Sequence, residues 1–172
     1  VCLGCKIPLT LVCQIDRQSL LHPFQGTGLI QLFACCKHPD VPAVWATTST
    51  AQTPIVRAPR NAMPLRRIVK WLPRKDFAHP EQAEVVMKRN LTQNEWEVLA
   101  EVQIRSDKVG GFPCWLQPKE NLKCNICATP LRLLVQVDSG DNFPIMWGRD
   151  GCVMVFECPT HSEQVHALLH QS

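Results

Sequence analysis

The sequence has no long hydrophobic run, and this excludes a membrane-spanning chain. Of its 172 residues, 45% are hydrophobic and 19% are charged, but no apolar stretch approaches the roughly 18 residues that a spanning helix needs. The opening VCLGC lacks the basic start and apolar core of a signal peptide. Walker loops, nucleophile-elbow serines and paired catalytic carboxylates are also missing. Because the apolar content is ordinary, we expect one folded domain.

Cysteine is the residue in excess, and its pattern repeats along the chain. The sequence contains 10 cysteines. Residues 2–16 and 124–138 both read C-x-x-C-x-x-P-L-x-L-x-x-Q-I/V-D, with the second copy 122 residues after the first. Residues 28–38 and 151–161 match at a spacing of 123, and both end in F-x-C-x-x-H. Ordered identities at nearly constant spacing predict an internal duplication.

Each copy holds a C-x-x-C pair and, about 30 residues later, a C-x-x-H pair, which is typical of a structural zinc site. Two residues between ligands allow a tight turn that directs both side chains at one ion, and the second pair completes a tetrahedron. We predict two structural zinc ions per chain, held by Cys2, Cys5, Cys35, His38, Cys124, Cys127, Cys158 and His161. Cys36 is an alternative to Cys35, although the alignment with Cys158 favours Cys35.

Other roles for these residues fit the pattern less well. A redox C-x-x-C opens a helix, whereas a proline and an alternating apolar segment follow each pair here. Disulfides need an oxidising compartment, and a catalytic zinc keeps an open position. His161-Ser162-Glu163 matches the H-x-E of nucleobase deaminases, but the motif order is reversed. We therefore predict that the protein is not an enzyme.

Alternating residues predict an α+β fold that is mainly β. Strands are expected over 9–16 and 131–138, after each C-x-x-C, and again over 29–34 and 152–157. In the first copy, Leu11 is placed on the core face. Four polar side chains are expected on the opposite strand face, exposed or capping the strand in preference to a binding role: Gln14, Asp16, Gln136 and Asp138. The cysteines outside the ligand pairs are expected to be small core residues: Cys13, Cys36, Cys114 and Cys152.

Three helices are expected beside these strands. One covers 80–89, and a second begins at the capping box of Thr92 and Glu95. A third is predicted over 163–170, where three apolar residues have helical spacing. The chain is thus predicted to form two β units with a few flanking helices.

The domain organisation follows from the repeats. We predict a single domain, 1–172, made of two pseudo-repeats, about 1–75 and about 104–172, joined by a helical connector over about 76–103. Residues 39–56 are expected to form an irregular connector or a short edge strand.

Residues 57–75 are basic without any acidic residue, and their positive side chains are Arg57, Arg60, Arg66, Arg67, Lys70, Arg74 and Lys75. Such a segment suits nucleic acid or an acidic protein surface, or it is a solvated loop.

The second copy resembles a known family. The K-V-G-G-x-P-x-W of 108–115, the C-x-x-C, the P-L-x-x-L-x-Q-V-D of 130–138 and the W-G-x-x-G of 147–151 resemble the bacterial YwqG-like family of unknown function. The motif also looks like that of the eukaryotic programmed-cell-death-2-like proteins, cytosolic zinc proteins that chaperone a ribosomal protein. The resemblance covers 105–161 and reaches 2–38 through the repeat. It implies a duplicated, mostly β architecture and a bacterial, cytoplasmic home, and it supplies no catalytic residues.

These observations predict a cytoplasmic zinc protein whose metal is structural and whose role is protein interaction or chaperone-like. Nucleic-acid binding through the basic segment is the alternative function. A zinc-dependent hydrolase is favoured least, because each site already has four ligands.

Overall fold

Two antiparallel sheets and a helical hairpin make up the part of the chain that the structure describes. The computed structural model describes residues 1–21, 23–24, 26–35, 37–38, 43–47 (backbone only), 68, 70–102, 105–140, 142 and 145–171. Its strands are β1 (Thr10–Asp16), β2 (Leu29–Ala34), β3 (Ala43–Thr47), β4 (Lys108–Val109), β5 (Arg132–Asp138), β6 (Gly151–Glu157) and β7 (Val165–Gln171). Its α-helices are α1 (Pro80–Met87) and α2 (Gln93–Val102).

The strands form a sheet of order β1-β2-β3 and a sheet of order β4-β5-β6-β7. All neighbours run antiparallel. The four predicted strands correspond to β1, β2, β5 and β6, and β3 lies within the segment predicted to be a connector or edge strand. The expected mainly β architecture is therefore confirmed for the described residues.

The strand that follows each C-x-x-C contains a β-bulge, and the two bulges lie at equivalent positions of the two copies. In β1 the register shifts between Leu11 and Cys13, so Val12 turns into the core while Leu11 is 40% exposed. In β5 the register shifts around Leu134, which is fully buried. The prediction of strict alternation in β1 was wrong for Leu11, because a bulge adds one residue and reverses the faces beyond it.

One core is shared by the two sheets. It consists of Val12, Cys13, Ile15, Leu20, Ile30, Leu32, Ala34, Leu134, Val135, Val137, Trp147, Val153 and Val155. Several members occupy equivalent places in the two copies, such as Cys13 with Val135 and Ile15 with Val137. The apolar faces of the two units thus pack against each other, as the alternation predicts.

The second sheet is also covered on its outer face. Trp115 stacks on Phe156 with 5.8 Å between ring centroids. This smaller cluster contains Trp115, Leu133, Cys152, Met154 and Phe156. The first sheet differs, since Leu11 and Gln14 are exposed there. The segment ahead of Cys124 therefore gives the second half a second apolar layer.

The same segment buries polar residues that were predicted to be exposed. Gln136 is fully buried; its Oε1 accepts from the Cys114 backbone N–H at 3.0 Å and its Nε2 donates to the Ser106 carbonyl at 3.2 Å. Asp138 is 6% exposed and pairs with Arg105 at 3.1 Å. The exposed interpretation was therefore wrong for β5, because the preceding chain lies over it, whereas Gln14 and Asp16 are exposed.

The prediction of a helix over 163–170 was wrong, because Val165–Gln171 forms the strand β7. This strand pairs antiparallel with β6 along its whole length. Val165, Ala167 and Leu169 pack against the shared core, while Leu168 packs against the cluster on the other face. A strand with apolar neighbours on both faces loses simple alternation, and its residues then also fit helical spacing.

The helical hairpin has the predicted capping box. The Thr92 backbone N–H donates to Glu95 Oε2 at 2.9 Å, and the Glu95 backbone N–H donates to Thr92 Oγ1 at 3.3 Å. Arg89 donates to both oxygens of the same carboxylate, at 2.9 and 2.6 Å. The two helices are therefore linked by polar contacts at their connection, and α2 buries no residue.

Acidification is expected to loosen the start of α2. Hydrogen bonds from Arg89, and then from the Thr92 backbone, lower the pKa of Glu95 to about 2. A carboxylate with a depressed pKa stabilises the fold above its unfolded pKa, about 4.3, and loses that contribution as the pH falls toward 2. We expect the Cα chemical shifts of α2 to move toward coil values over this interval, and Glu95→Gln to remove that component. Glu97→Gln is the control, and an unchanged profile in Glu95→Gln would contradict the prediction.

Candidate metal centres

The strand pairing brings the four candidate ligands of each copy to one end of a sheet. Each C-x-x-C precedes the first strand, and each C-x-x-H follows the second strand. Since these strands are antiparallel neighbours, the start of one lies beside the end of the other, as Thr10 pairs with Ala34 and Arg132 with Glu157. Ligands about 30 residues apart in sequence therefore meet in space.

The two C-x-x-C turns have the same backbone conformation. In the first, the Cys2 N–H donates to the Ile7 carbonyl and the Lys6 N–H donates to the Cys2 carbonyl, both at 2.9 Å. In the second, Cys124 and Thr129 form the first of these bonds and Ala128 donates to Cys124, also at 2.9 Å. Lys6 and Ala128 both have positive φ, 61° and 56°. Each turn thus folds back after its second cysteine.

The structure gathers all eight predicted residues into two clusters. The first centre contains Cys2, Cys5, Cys35 and His38, and the second centre contains Cys124, Cys127, Cys158 and His161. Within each, the four ligand atoms lie within 4.8 Å of one another. Each cluster can hold a metal ion. Cys35 belongs to the first centre; its alternative, Cys36, lies outside the described residues.

The distances fit a tetrahedral ion with sulfur and nitrogen ligands. Bonds of about 2.3 Å to sulfur and 2.05 Å to nitrogen give edges of about 3.8 Å between sulfurs and 3.6 Å between sulfur and nitrogen. In the first centre, Cys5 and Cys35 Sγ are 3.5 Å apart, and His38 Nδ1 is 3.5 Å from Cys2 Sγ and 3.8 Å from Cys35 Sγ.

The second centre matches these values. Cys127 and Cys158 Sγ are 3.6 Å apart, and His161 Nδ1 is 3.7 Å from both Cys124 Sγ and Cys158 Sγ. In both centres it is the Nδ1 atom of histidine that faces the sulfurs. A cation at the middle of either cluster would therefore bind imidazole through the same nitrogen.

Backbone N–H groups favour the thiolate forms that a metal requires. Sulfur atoms accept N–H bonds of 3.4 Å in three pairs, from Lys37 to Cys35, from Ile126 to Cys124 and from Thr160 to Cys158. At Cys158 desolvation outweighs this bond and raises the pKa of the thiol. A bond from the Cys5 backbone is the main cause that lowers the pKa of Cys2 to about 6. The Thr129 hydroxyl, 3.2 Å from Cys127 Sγ, and then the Thr129 N–H lower the pKa of Cys127 to about 6.

The described cysteines form no disulfide. All nine of them are free thiols, and sulfurs 3.5 and 3.6 Å apart are far beyond the bond length of about 2.05 Å. Outside the clusters, Cys13, Cys114 and Cys152 are buried. Burial raises the pKa of Cys13 and of Cys152 to about 12. These three are core residues, as predicted, and none of them belongs to either metal-binding cluster.

The basic segment is described only at its end. Arg57, Arg60, Arg66 and Arg67 lie outside the described residues, whereas Lys70, Arg74 and Lys75 are exposed. Lys70 and Arg74 are among the residues that line a cavity of about 710 Å³, together with Ile15 and Val137. Glu163, the acid of the H-x-E motif, is exposed. Nucleic-acid binding stays a prediction.

Comparison with known proteins leaves the family open. No family model matches the chain, and the search of curated proteins found no match. The resemblance to the YwqG-like family is thus a prediction that rests on the quoted motifs. In the described residues, no helix combines the length and the apolar character that crossing a bilayer requires.

Proposed function

We propose that the protein binds two structural zinc ions, one in each centre, and acts as a protein-interaction or chaperone-like module. The observation that carries the first part is the pair of Cys₃His clusters, in each of which the four ligand atoms lie within 4.8 Å of one another. Thiolate and imidazole are soft and borderline ligands that select zinc over magnesium, calcium or manganese. A cytoplasmic location, which is part of this proposal, would keep these thiols reduced.

The two halves are, in this proposal, copies of one zinc-binding unit. They share the strand order around each centre, the bulge in the first strand, the positive φ after the C-x-x-C and the Nδ1 atom that faces the sulfurs. Such agreement in details that serve no obvious common purpose is what duplication leaves behind. The resemblance to YwqG-like and programmed-cell-death-2-like proteins supports the same architecture.

The four-ligand clusters support a structural metal and a protein without catalysis. A hydrolytic zinc needs one position for water, whereas each centre offers four side chains. Three thiolates around Zn²⁺ give a centre with a net charge of −1, which is a poor Lewis acid for water. The proposal therefore assigns the metal to folding.

The helical hairpin supports the interaction role. Val85, Val86 and Met87 at the end of α1 are 72%, 73% and 55% exposed, and Val98 on α2 is 49% exposed. Concentrated apolar exposure on a small element is typical of an interaction surface.

Nucleic-acid binding is the second candidate, favoured by the exposure of Lys70, Arg74 and Lys75. Recovery of partners that survives nuclease treatment and high salt would favour protein over nucleic acid.

Metal analysis tests the zinc proposal directly. Protein purified without chelator is expected to contain about two zinc ions per chain by plasma mass spectrometry. Cys5→Ser and Cys127→Ser each change the least buried cysteine of one centre. Each substitution is expected to remove about one zinc ion. Wild-type protein that carries no zinc and does not take it up under reducing conditions would overturn the proposal.

A further inference from the structure

Three charged side chains meet beside the second centre. Glu157, the last residue of β6, is fully buried. Arg17 Nη2 lies 2.8 Å from Glu157 Oε2, and Arg132 Nη2 lies 2.6 Å from Glu157 Oε1. The Arg17 side chain is 4% exposed and that of Arg132 29%. We call these residues the arginine–glutamate cluster. Buried charges of this kind are costly unless they are fully paired.

The two arginines cross between the halves. Arg17 follows β1 in the first half, and its Nη2 donates to the Ser162 carbonyl of the second half at 2.8 Å. Arg132 belongs to β5 in the second half, and its Nη2 donates to the Pro23 carbonyl of the first half at 3.1 Å. Its guanidinium also lies 4.6 Å from the centre of the Phe24 ring. Each arginine therefore contacts a loop of the other half, and both arginines also pair with the Glu157 carboxylate.

The contacts of Arg17 fall on both ends of one metal-binding loop. Glu157 directly precedes Cys158, and Ser162 directly follows His161. Arg17 thus fixes the residue before the first ligand and the residue after the second. Groups that hold ligands in place from outside commonly change metal affinity by about 10- to 100-fold when removed.

The first centre has no equivalent cluster among the described residues. Ala34 stands where the alignment of the copies places Glu157, directly before Cys35. Ala34 is buried in the shared core and carries no charge. Within the described part of the chain, the two centres therefore share a ligand set but differ in the charged side chains beside it, and the first serves as an internal control for the second.

The net charges of the arginine–glutamate cluster and of a zinc-loaded second centre also distinguish the second centre from the first. Two arginines and one glutamate leave the cluster at +1, and a Zn(Cys)₃His centre has a net charge of −1. These opposite charges adjoin, and the Arg17–Glu157 pair among them is buried, where interactions between charges are strong. Zinc in the second centre therefore compensates charge that would otherwise be left buried.

We infer that Arg17 is a positioning residue of the second centre, although it belongs to the other half, and that metal in the second centre, rather than in the first, locks the two halves together. This inference rests on the proposed zinc binding. It predicts that perturbing the cluster weakens one zinc site selectively, and that losing the second zinc loosens the first half.

The test uses the full chain with Arg17→Met and the milder Arg17→Lys, which keeps the charge but loses the forked contact. Gln18→Met, at the exposed neighbouring position, is the control. Competition with 4-(2-pyridylazo)resorcinol should show one zinc ion released about 10- to 100-fold more easily in Arg17→Met. Alkylation read by peptide mass spectrometry should show newly accessible Cys127 and still protected Cys5. Retained zinc in the first centre reports that the variant is folded.

The reverse experiment compares Cys127→Ser with Cys5→Ser by amide hydrogen exchange. Cys127→Ser should speed exchange in β1 and β2 of the other half, whereas Cys5→Ser should leave β5 and β6 protected. Equal release of both zinc ions from Arg17→Met and Arg17→Lys, or release unchanged from wild type, would overturn the inference while leaving two bound zinc ions in place. A wild-type chain without zinc would instead defeat the proposed function itself.

Discussion

Cys124→Ser is expected to cause the largest loss of stability among single substitutions. Cys124 is 4% exposed and lies at the base of the second centre. A hydroxyl is a poor zinc ligand, so we expect one zinc ion to be lost together with the tight turn that opens the second half. Structural zinc contributes about 10–16 kcal/mol of binding free energy, and a domain of this size is stable by about 5–15 kcal/mol. The second half should therefore unfold or aggregate.

Zinc content, solubility and the denaturant midpoint followed by tryptophan fluorescence measure this effect. Cys114→Ala is the matched control, because Cys114 is equally buried, at 5% exposure, but lies outside both clusters. It should keep two zinc ions and lose only the smaller free energy of a trimmed core side chain. A folded Cys124→Ser protein of nearly wild-type stability would show that the metal has no structural role.

Removing both metals is the second change with a large expected effect. Chelation under reducing conditions should cost at least as much stability as Cys124→Ser, because both centres then lose their cation and six thiols and two histidines are left without it. Even a loss of only about 5 kcal/mol would lower the thermal midpoint by roughly 10–20 °C for a chain of this length. Calorimetry or circular dichroism during a thermal scan measures the shift.

Metal specificity provides the control for this experiment. Adding Zn²⁺ back should restore the midpoint, whereas Mg²⁺ should not, because thiolates are poor ligands for a hard cation. A metal-free protein with an unchanged midpoint, or one rescued equally by Mg²⁺, would contradict a structural zinc. Comparison of Cys5→Ser with Cys127→Ser then apportions the shift between the centres.

The candidate site could be predicted from the sequence because its information is local and repeated. Two residues between ligands define a turn, and the second copy confirms the register of the first, which is how Cys35 was favoured over Cys36. The structure then places the predicted residues together. The strands after each C-x-x-C were predictable for the same reason, since period-two alternation is a local signal.

The misses have a common physical cause, which is contact with distant parts of the chain. Leu11 was placed on the wrong face because a bulge is set by pairing with the neighbouring strand. Gln136 is buried because a segment more than twenty residues away covers it. β7 was taken for a helix because apolar layers on both sides remove its alternation.

The arginine–glutamate cluster was missed in the same way. Arg17 and Glu157 lie 140 residues apart in sequence, and no spacing rule connects them. One signal was nevertheless present. Glu157 ends the otherwise apolar strand G-C-V-M-V-F-E, and a carboxylate in such a strand requires a cationic partner.

The arrangement of ligands also has a consequence for the order of events on the ribosome. All four residues of the first centre lie within 2–38, so they emerge long before the second centre, which ends at His161. If the proposed zinc binding holds, the ligands of the first centre are therefore available to an ion while the rest of the chain is still being made. Because synthesis runs from the N-terminus, Arg17 is in the chain before the loop of the second centre that it contacts. The long-range contact can therefore form as soon as that loop has been synthesised.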